Sequence, residues 1–327
     1  MAREKKKHGK RLFLPAILLM ALMIFLIGFL DMNTPSVKSE FTPPVENSTE
    51  LSTAEDKKES TTAAPEEKFE ITMLNVGQGL SVLIRADDEY MLYDGGGRSK
   101  SSYVVSYLTK TRSITNLKYI VSSHYDEDHV AGLVGVMNTI SVGQVITSDY
   151  EGDTKIYQSF RNKLAEKGYP EIHPKVGDTF ALGSAVIQVI GPTEYNQSKE
   201  NDNSIAIKIT YGNFSAVFTG DAEEDECEQI ITSGLNLNAN LYIVGHHGSE
   251  YSTSDELLKK ISPQYAFLSV GSGNSYGHPT AKTLNALKAN NVQLFRTDVQ
   301  GEVSVYSDGN DCWFSTDPTD DWSAGIK

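Results

Sequence analysis

The stretch SSHYDEDHVAGL, Ser122 to Leu133, places two histidines and three acids within six residues. His124, Asp126 and Asp128 alternate with Tyr125 and Glu127, and His129 follows at once. The stretch comes directly after the apolar run YIVS, and in a loop leaving a strand alternate side chains can converge on one side. Neutral imidazole and carboxylate are ligands for divalent metals, and the pair Asp128–His129 offers side chains for a second ion nearby. A solvated acidic loop would explain any one of these residues alone. The full pattern H-x-D-x-D-H behind a buried strand points to metal binding.

Short β-rich runs and helical runs alternate from Phe69 onward. FEITML, LSVLIRA and EYMLYD read as strands separated by the turns VGQG (Val76–Gly79) and DGGG (Asp94–Gly97). SSYVVSYLTK has helical spacing, KYIVSS is a strand ending at His124, and DHVAGLVGVMNTI is a helix beginning inside the motif. A strand at QVITSD and a helix at YQSFRNKLAEKG follow. The second half predicts strands SAVIQVIGP, SIAIKITYG, FSAVFTGD, LYIVGHHGS, YAFLSVG, VQLFRT and GEVSVYSD, with helices EEDECEQIIT, SDELLKKI and TAKTLNALKAN between them. Hairpin-like runs mixed with helices indicate an α/β (α+β) domain of two sheets with helices outside them. Three of the strands end in His or Asp clusters, at His124, Asp221 and His246–His247, where rigid elements can place a site.

The N-terminus differs in composition. Residues 1–11 hold six Lys/Arg and one Glu, and Leu12–Leu30 contain no charged residue. As a helix that apolar run would span roughly 28 Å, close to the hydrocarbon core of a bilayer. The basic flank predicts a cytoplasmic N-terminus and an exterior C-terminal domain at the cell membrane. A cleaved signal peptide is the competing reading, but the run is long and no A-x-A-like site follows. Residues 31–68 are rich in Ser, Thr, Pro and Glu with few large apolar residues, which predicts a disordered stalk. The folded domain is expected over 69–318, with a tail at 319–327.

The formal net charge is −14. The basic flank and the acidic stalk cancel, so this charge belongs to the domain from residue 69 onward. It argues against a generally basic, nucleic-acid-coating surface, though a local basic groove remains compatible. Two cysteines, Cys227 and Cys312, are too few for a disulfide framework or a cysteine zinc site.

The motif resembles the H-x-H-x-D-H signature of metallo-β-lactamase fold hydrolases, with Asp126 in place of the second histidine. That replacement is similar to one branch, the hydrolase domain of the competence protein ComEC and its stand-alone relatives. ITMLNVGQGLSVLI resembles the branch's opening signature. MLYDGGGR, NDNSIAIKI, FTGDAE, HHGS and YGHPT then follow in the family's order. Five of the seven histidines fall in these motifs, leaving His8 and His173. Asn75 and Leu80 depart from the branch, which often has Asp at both places. The histidine that the wider family carries between the first motif and the later Asp has no counterpart. His173 precedes a proline loop and is expected to be structural or solvated.

The resemblance implies a four-layer αββα sandwich, which the expected transmembrane helix and stalk precede. It implies two divalent metal ions, Zn²⁺ or Mn²⁺. One would take His124, Asp126 and a histidine of HHGS. The other would take Asp128, His129 and His278, with a substrate contact an equal role for His278, and Asp221 would bridge both. Sequence leaves the choice between His246 and His247 open, since neighbours on a strand face opposite ways. His247 is expected as the ligand, and His246 as a proton-transfer or substrate contact. Asp128 is expected to act both as ligand and in proton transfer. Asp94 is expected to brace the metal-bearing loop, and a plain turn Asp before Gly fits it equally. Gln78, Asn203 and Ser204 resemble segments that line the family's site.

Two divalent ions against Asp126, Asp128 and Asp221 leave net positive charge, which suits a bridging hydroxide and an anionic substrate. The expected substrate is a phosphodiester, either DNA or a cell-wall polymer such as a phosphocholine-bearing teichoic acid. A non-catalytic tethered binding module is the third reading. The membrane is expected as a partner through the N-terminal helix, and no protein partner is inferred.

Overall fold

A computed structural model describes residues 68–195 and 198–327. The basic flank, the apolar segment 12–30 and residues 31–67 of the expected stalk lie outside the described residues. Among the described residues no helix is long and apolar enough to cross a membrane.

Among the described residues, fifteen strands and seven α-helices form in chain order. The strands β1 (Phe69–Met73), β2 (Val82–Ala86), β3 (Glu89–Tyr93), β4 (Asn116–Ser122), β5 (Ser141–Thr147) and β6 (Glu171–Ile172) come from the first half. They are followed by β7 (Thr179–Leu182), β8 (Ala185–Gly191), β9 (Ala206–Tyr211), β10 (Phe214–Phe218) and β11 (Leu241–Ile243). The chain ends with β12 (Tyr265–Leu268), β13 (Gln293–Arg296), β14 (Val303–Ser307) and β15 (Cys312–Phe314). Between them lie α1 (Ser101–Ser106), α2 (Glu127–Thr139), α3 (Lys155–Lys167), α4 (Glu224–Thr232), α5 (Asp255–Ile261), α6 (Ala281–Ala289) and the short α7 (Thr297–Gln300).

The first sheet runs β15-β14-β1-β2-β3-β4-β5-β6 and the second β13-β12-β11-β10-β9-β8-β7. Period-two alternation splits each strand between two layers. Phe69, Ile71 and Met73 of β1 meet Ile207 and Ile209 of β9 and Phe214 and Phe218 of β10 in the core between the sheets. Leu83 and Ile120 point the other way, under Leu133 and Val136 of α2 and Phe160 of α3. Val217 and Tyr242 likewise face Ile230 of α4, Leu257 of α5 and Leu284 of α6. The order helix, sheet, sheet, helix matches the architecture the sequence implied.

The helices begin where the sequence supplies caps. Thr154, Ser254 and Thr280 each accept a backbone N–H from the third residue into α3, α5 and α6. Within the first sheet β3, β4 and β5 are parallel, and within the second β10 to β13 are parallel. The loops that follow β3, β4, β10, β11 and β12 carry Asp94, the HYDEDH motif, Asp221, the HHGS turn and the GHP turn. Carboxyl ends of parallel strands are where such folds gather their sites.

One close crossing holds the first two of these loops together. Gly95 N–H donates to His129 O at 2.7 Å and Gly132 N–H to Gly96 O at 2.8 Å. A Cβ on Gly132 would sit 1.7 Å from Gly95 O, so the DGGG turn can lie on α2 only because both surfaces lack side chains. Residues 319–327, expected as a tail, run along the domain. Thr319 N–H bonds Leu294 O, and Gly325 N–H bonds Pro279 O.

Candidate metal centre

His124 leaves β4 fully buried. Asp126 takes the N-cap position of α2 in extended backbone but makes no capping hydrogen bond, which leaves its carboxylate available for another role. Its Oδ2 lies 3.6 Å from His124 Nε2. Asp128 and His129 sit in the first turn of α2. The motif is therefore a turn into a helix, and the acids are placed by a helix N-terminus rather than by an extended alternation.

From the opposite sheet, Asp221 follows β10 and brings Oδ2 to 3.2 Å from His129 Nε2. His247 Nε2 lies 3.2 Å from His129 Nε2, 3.4 Å from Asp128 Oδ2 and 3.6 Å from Asp221 Oδ2. His246 Nε2 is also 3.6 Å from Asp221 Oδ2, and its Nδ1 is 3.5 Å from Glu223. The strand here stops at Ile243, and His246 and His247 lie in a tight turn with φ of 48° and 53°. Strand alternation therefore does not separate them, and both rings face Asp221. Left-handed backbone at two successive non-glycine residues costs on the order of 1–3 kcal/mol each, and such strain collects at functional sites.

The ligand-type atoms fall into two groups. His124, His129 and Asp221 form one, and Asp128, His129 and His247 the other, with all atoms of a group within 4.8 Å of one another. This differs from the pairing implied by resemblance, which set His247 with His124 and Asp126. The reason is geometric: Ser269 O accepts from His247 Nδ1 at 3.0 Å and turns its Nε2 toward α2. His278 stands further out. Its ring centroid is 5.6 Å from that of His246, and it belongs to neither group.

Hydrogen bonding fixes which ring nitrogens carry protons. Asp94 Oδ1 accepts from Ser123 N–H at 2.8 Å, and its Oδ2 from Ser123 Oγ–H at 2.7 Å and His129 Nδ1–H at 2.8 Å. With its proton given to Asp94, Ser123 Oγ accepts from His124 Nδ1–H at 2.9 Å. His247 Nδ1 must donate, because Ser269 O can only accept. In their neutral forms His124, His129 and His247 therefore present Nε2 lone pairs, which face each other and the carboxylates of Asp128 and Asp221. His124 Nε2 and Asp221 Oδ1 are buried and have no hydrogen-bond partner. With the rings neutral the cluster is satisfied by a cation at its centre, and nitrogen and carboxylate oxygen are ligand types for a divalent metal; without one, a proton shared among the imidazoles and carboxylates takes that place.

The titration behaviour has the same cause. Burial works against charge on Asp128 and Asp221. The hydrogen bond from His247 and the charge of His129 outweigh it at Asp128, and the charges of His129, His247 and His246 do so at Asp221. Both carboxyls are held below the usual carboxylate range. Burial also opposes a charged His129, yet Asp221 and Asp94 hold its pKa well above the ordinary imidazole value. The site asks for positive charge. His278 does the reverse: burial and the neighbouring His246 and His247 bring it down to about 4.

Sequence reading missed Ser123, which links Asp94 to His124, although it stands next to the motif. Asp94 braces two candidate ligands and adopts φ 57°. Ser204 Oγ accepts from Asp221 N–H at 3.1 Å and so steadies the loop bearing that Asp. Asn203 points away, donating to Lys199 O and Glu200 O. Gln78 accepts from Gly271 N–H at 3.3 Å and ties two loops rather than entering the centre. His173 bonds Thr147 O at 3.2 Å and lines a separate polar cavity with Tyr150, Tyr157 and Arg161. Cys227 and Cys312 are both free.

Comparisons with known proteins agree with this geometry. The chain is 28% identical over 242 residues to "Competence protein ComA" of Neisseria gonorrhoeae, covering 74% of this chain and 33% of that protein. It is 26% identical over 256 residues to "ComE operon protein 3" of Bacillus subtilis, covering 72% of this chain and 32% of that protein. The chain thus spans about a third of the length of these relatives. Among solved structures, the metallo-β-lactamase fold protein YhfI from Bacillus subtilis aligns with 69% of this chain and 95% of its own at 16% identity and a TM-score of 0.44. The family model described as "Metallo-beta-lactamase superfamily" matches residues 74–272, which include HYDEDH, Asp221 and HHGS. With a two-sheet sandwich, His/Asp groups at its strand ends that could hold a metal, and a family match over most of its domain, this chain belongs to the metallo-β-lactamase superfamily.

Proposed function

We propose that the chain is a binuclear-metal phosphodiesterase of ComEC-like type, acting on a polynucleotide. The observation that carries this is the convergence of the Nε2 atoms of His124, His129 and His247 with the Asp128 and Asp221 carboxylates in one buried cluster. His124, His129 and Asp221 would hold one ion, with Asp126 at its edge, and Asp128, His129 and His247 would hold the other. Divalent ions held there lower the pKa of bound water and stabilise negative charge developing on an attacked phosphoryl group. Asp94, through Ser123 and His129, keeps the ligand rings oriented. His246, partly exposed at the mouth and not engaged by Ser269, is placed to pass a proton to a leaving oxygen.

Asp126 in place of a second motif histidine supports phosphodiester rather than lactam chemistry, by its resemblance to the ComEC branch. Similarity to competence proteins over the domain supports a nucleic-acid substrate. We further propose that residues 12–30 anchor the protein in the cell membrane with the hydrolase domain outside. A cell-envelope phosphodiester is the second reading, favoured by the domain's negative charge.

The test is metal content and turnover of the purified chain. Single-stranded DNA, a generic phosphodiester and a phosphocholine ester are assayed with and without chelator. Chelator-sensitive cleavage lost in both His124→Ala and Asp221→Ala is the expected result. Activity surviving in both variants, or turnover of a lactone and of no phosphodiester, refutes the reading. Protease protection of residues 31–327 in intact cells would refute the exterior domain.

A further inference from the structure

Beyond β15 the chain doubles back as a strap that ends beside the centre. Arg296, 3% exposed, holds its middle. Its Nη1 donates to Asp321 O at 3.1 Å and Ser323 O at 2.8 Å, while Nε and Nη2 grip Asp298. Trp322 packs on the outer core of the second sheet, with Lys288 Nζ 5.6 Å over its ring. Gly325 then bonds Pro279 and crosses the GHP turn. A Cβ on Gly325 would lie 2.3 Å from His278 O, and one on Gly277 (φ 76°) would lie 2.6 Å from Lys327 Cγ. Two glycines thus let the strap lie flat on the turn and lay the Lys327 side chain across Gly277.

This lays the Lys327 side chain across Gly277, next in sequence to the exposed ring of Tyr276. Lys327 is exposed and has no ion-pair partner among the described residues. Tyr276, 58% exposed, stacks on His278 with centroids 5.7 Å apart and planes at 28°. The His278 ring meets His246, whose Nε2 is 3.6 Å from Asp221 Oδ2. A continuous line of contacts runs from the exposed ring to the centre. An exposed ring in line with the centre offers a face on which a planar group can stack.

We propose that Tyr276 and Lys327 form a substrate subsite for single-stranded polynucleotide, in which Tyr276 stacks on a nucleobase and Lys327 takes an adjacent backbone phosphate. The proposal rests on the phosphodiesterase reading and specifies how a polymer is held. Only an unpaired base offers a free face to stack, and a polyol-phosphate chain has no planar face at all. His278 supports the tyrosine from behind. Lys327 supplies positive charge in a domain that carries little long-range attraction for nucleic acid.

The experiment uses the full chain. Binding of a labelled single-stranded oligonucleotide is followed by fluorescence anisotropy in chelator. KM and kcat are measured with Mn²⁺ on the same oligonucleotide and on bis(p-nitrophenyl) phosphate. Base stacking is worth about 5- to 100-fold per base, so Tyr276→Ala should weaken oligonucleotide binding about tenfold, and Tyr276→Phe should restore it. Lys327→Ala should weaken binding and reduce the salt slope of log Kd by about 0.7, the contribution of one phosphate contact. In both Ala variants the ratio of kcat/KM for oligonucleotide to that for the small diester should fall, mainly through KM. Thermal melts identify any variant that fails to fold, and a chain ending at residue 324 then tests the strap. Binding within twofold of wild type in both Ala variants overturns the subsite. So does equal loss on both substrates, or the same loss on a phosphocholine polymer. A wild type that hydrolyses neither diester sinks the phosphodiesterase reading, and the binding arm still decides the subsite.

Discussion

Asp94→Asn tests the link between hydrogen bonding and metal affinity. The change keeps size, and Asn tolerates the left-handed φ of 57°, so the backbone should be preserved. The new Oδ1 can still accept from Ser123 N–H. The Nδ2 amide replaces the oxygen that accepted from Ser123 Oγ–H and His129 Nδ1–H at 2.7 and 2.8 Å. An amide NH₂ only donates. His129 Nδ1 must then accept, which moves its proton to Nε2, where a lone pair is needed. Ser123 Oγ, now receiving a proton, turns its own toward His124 Nδ1 and pushes that ring into the same wrong tautomer. Loss of an outer hydrogen-bond partner costs about 10- to 100-fold in metal affinity. Because two ligand rings depend on this one carboxylate, the upper end is expected, about 100-fold or ~2.7 kcal/mol. Ser123→Ala removes only the His124 branch and should cost about tenfold. Competition of Zn²⁺ or Mn²⁺ against a calibrated chelator measures both, with melting of the metal-free proteins as the folding control. Metal affinity of Asp94→Asn within threefold of wild type, in a folded protein, would refute the tautomer argument.

The remaining expectations concern stability. Saturating the centre at about 100 times Kd should stabilise the fold by about 2.7 kcal/mol, which corresponds to a rise of roughly 5–10 °C in Tm relative to chelator, read by scanning calorimetry. Gly132→Ala forces a Cβ against Gly95 O and should cost about 3 kcal/mol in urea unfolding, since backbone on both sides cannot yield. Glu70, 3% exposed, accepts a two-pronged pair from Arg112 and lies 3.7 Å from Arg85. Arg112→Ala should cost about 3 kcal/mol by leaving that buried carboxylate with only Thr72 and the more distant Arg85. Burial raises the Glu70 pKa, but Arg112, Thr72 and Arg85 outweigh it and hold the group below its ordinary value. Its contribution is therefore present above the unfolded glutamate pKa and lost as pH falls through the folded one, so stability should decline in acid. Arg112→Ala should flatten that decline, as pH-dependent denaturation can check.

Much of the fold was legible locally. Alternation in FEITM, VLIRA and AIKITY set strands with one face for each core, and Ser254 and Thr280 opened two of the expected helices, because these signals depend on neighbours along the chain; the start of α3 at Lys155 behind Thr154 was placed two residues late. The edge strands β6, β7 and β15 were not legible, being too short for a period to repeat. Residue types at the centre were legible for the same local reason: HYDEDH, the Asp after FSAVFTG and HHGS each stand at the end of an apolar run.

The sequence by itself thus determined which side chains could bind metal, and that a strand end would carry each of them. Only the tertiary structure decided who meets whom. It set His247 beside Asp128 and His129, turned both HHGS histidines toward Asp221, and placed Asp94 behind two ligands through Ser123. It also brought Lys327 to a turn 50 residues upstream of it. The physical reason is that these contacts join the two sheets, strands and a strap far apart in the chain. Their distances follow from how the layers pack and from which protons each hydrogen bond leaves in place.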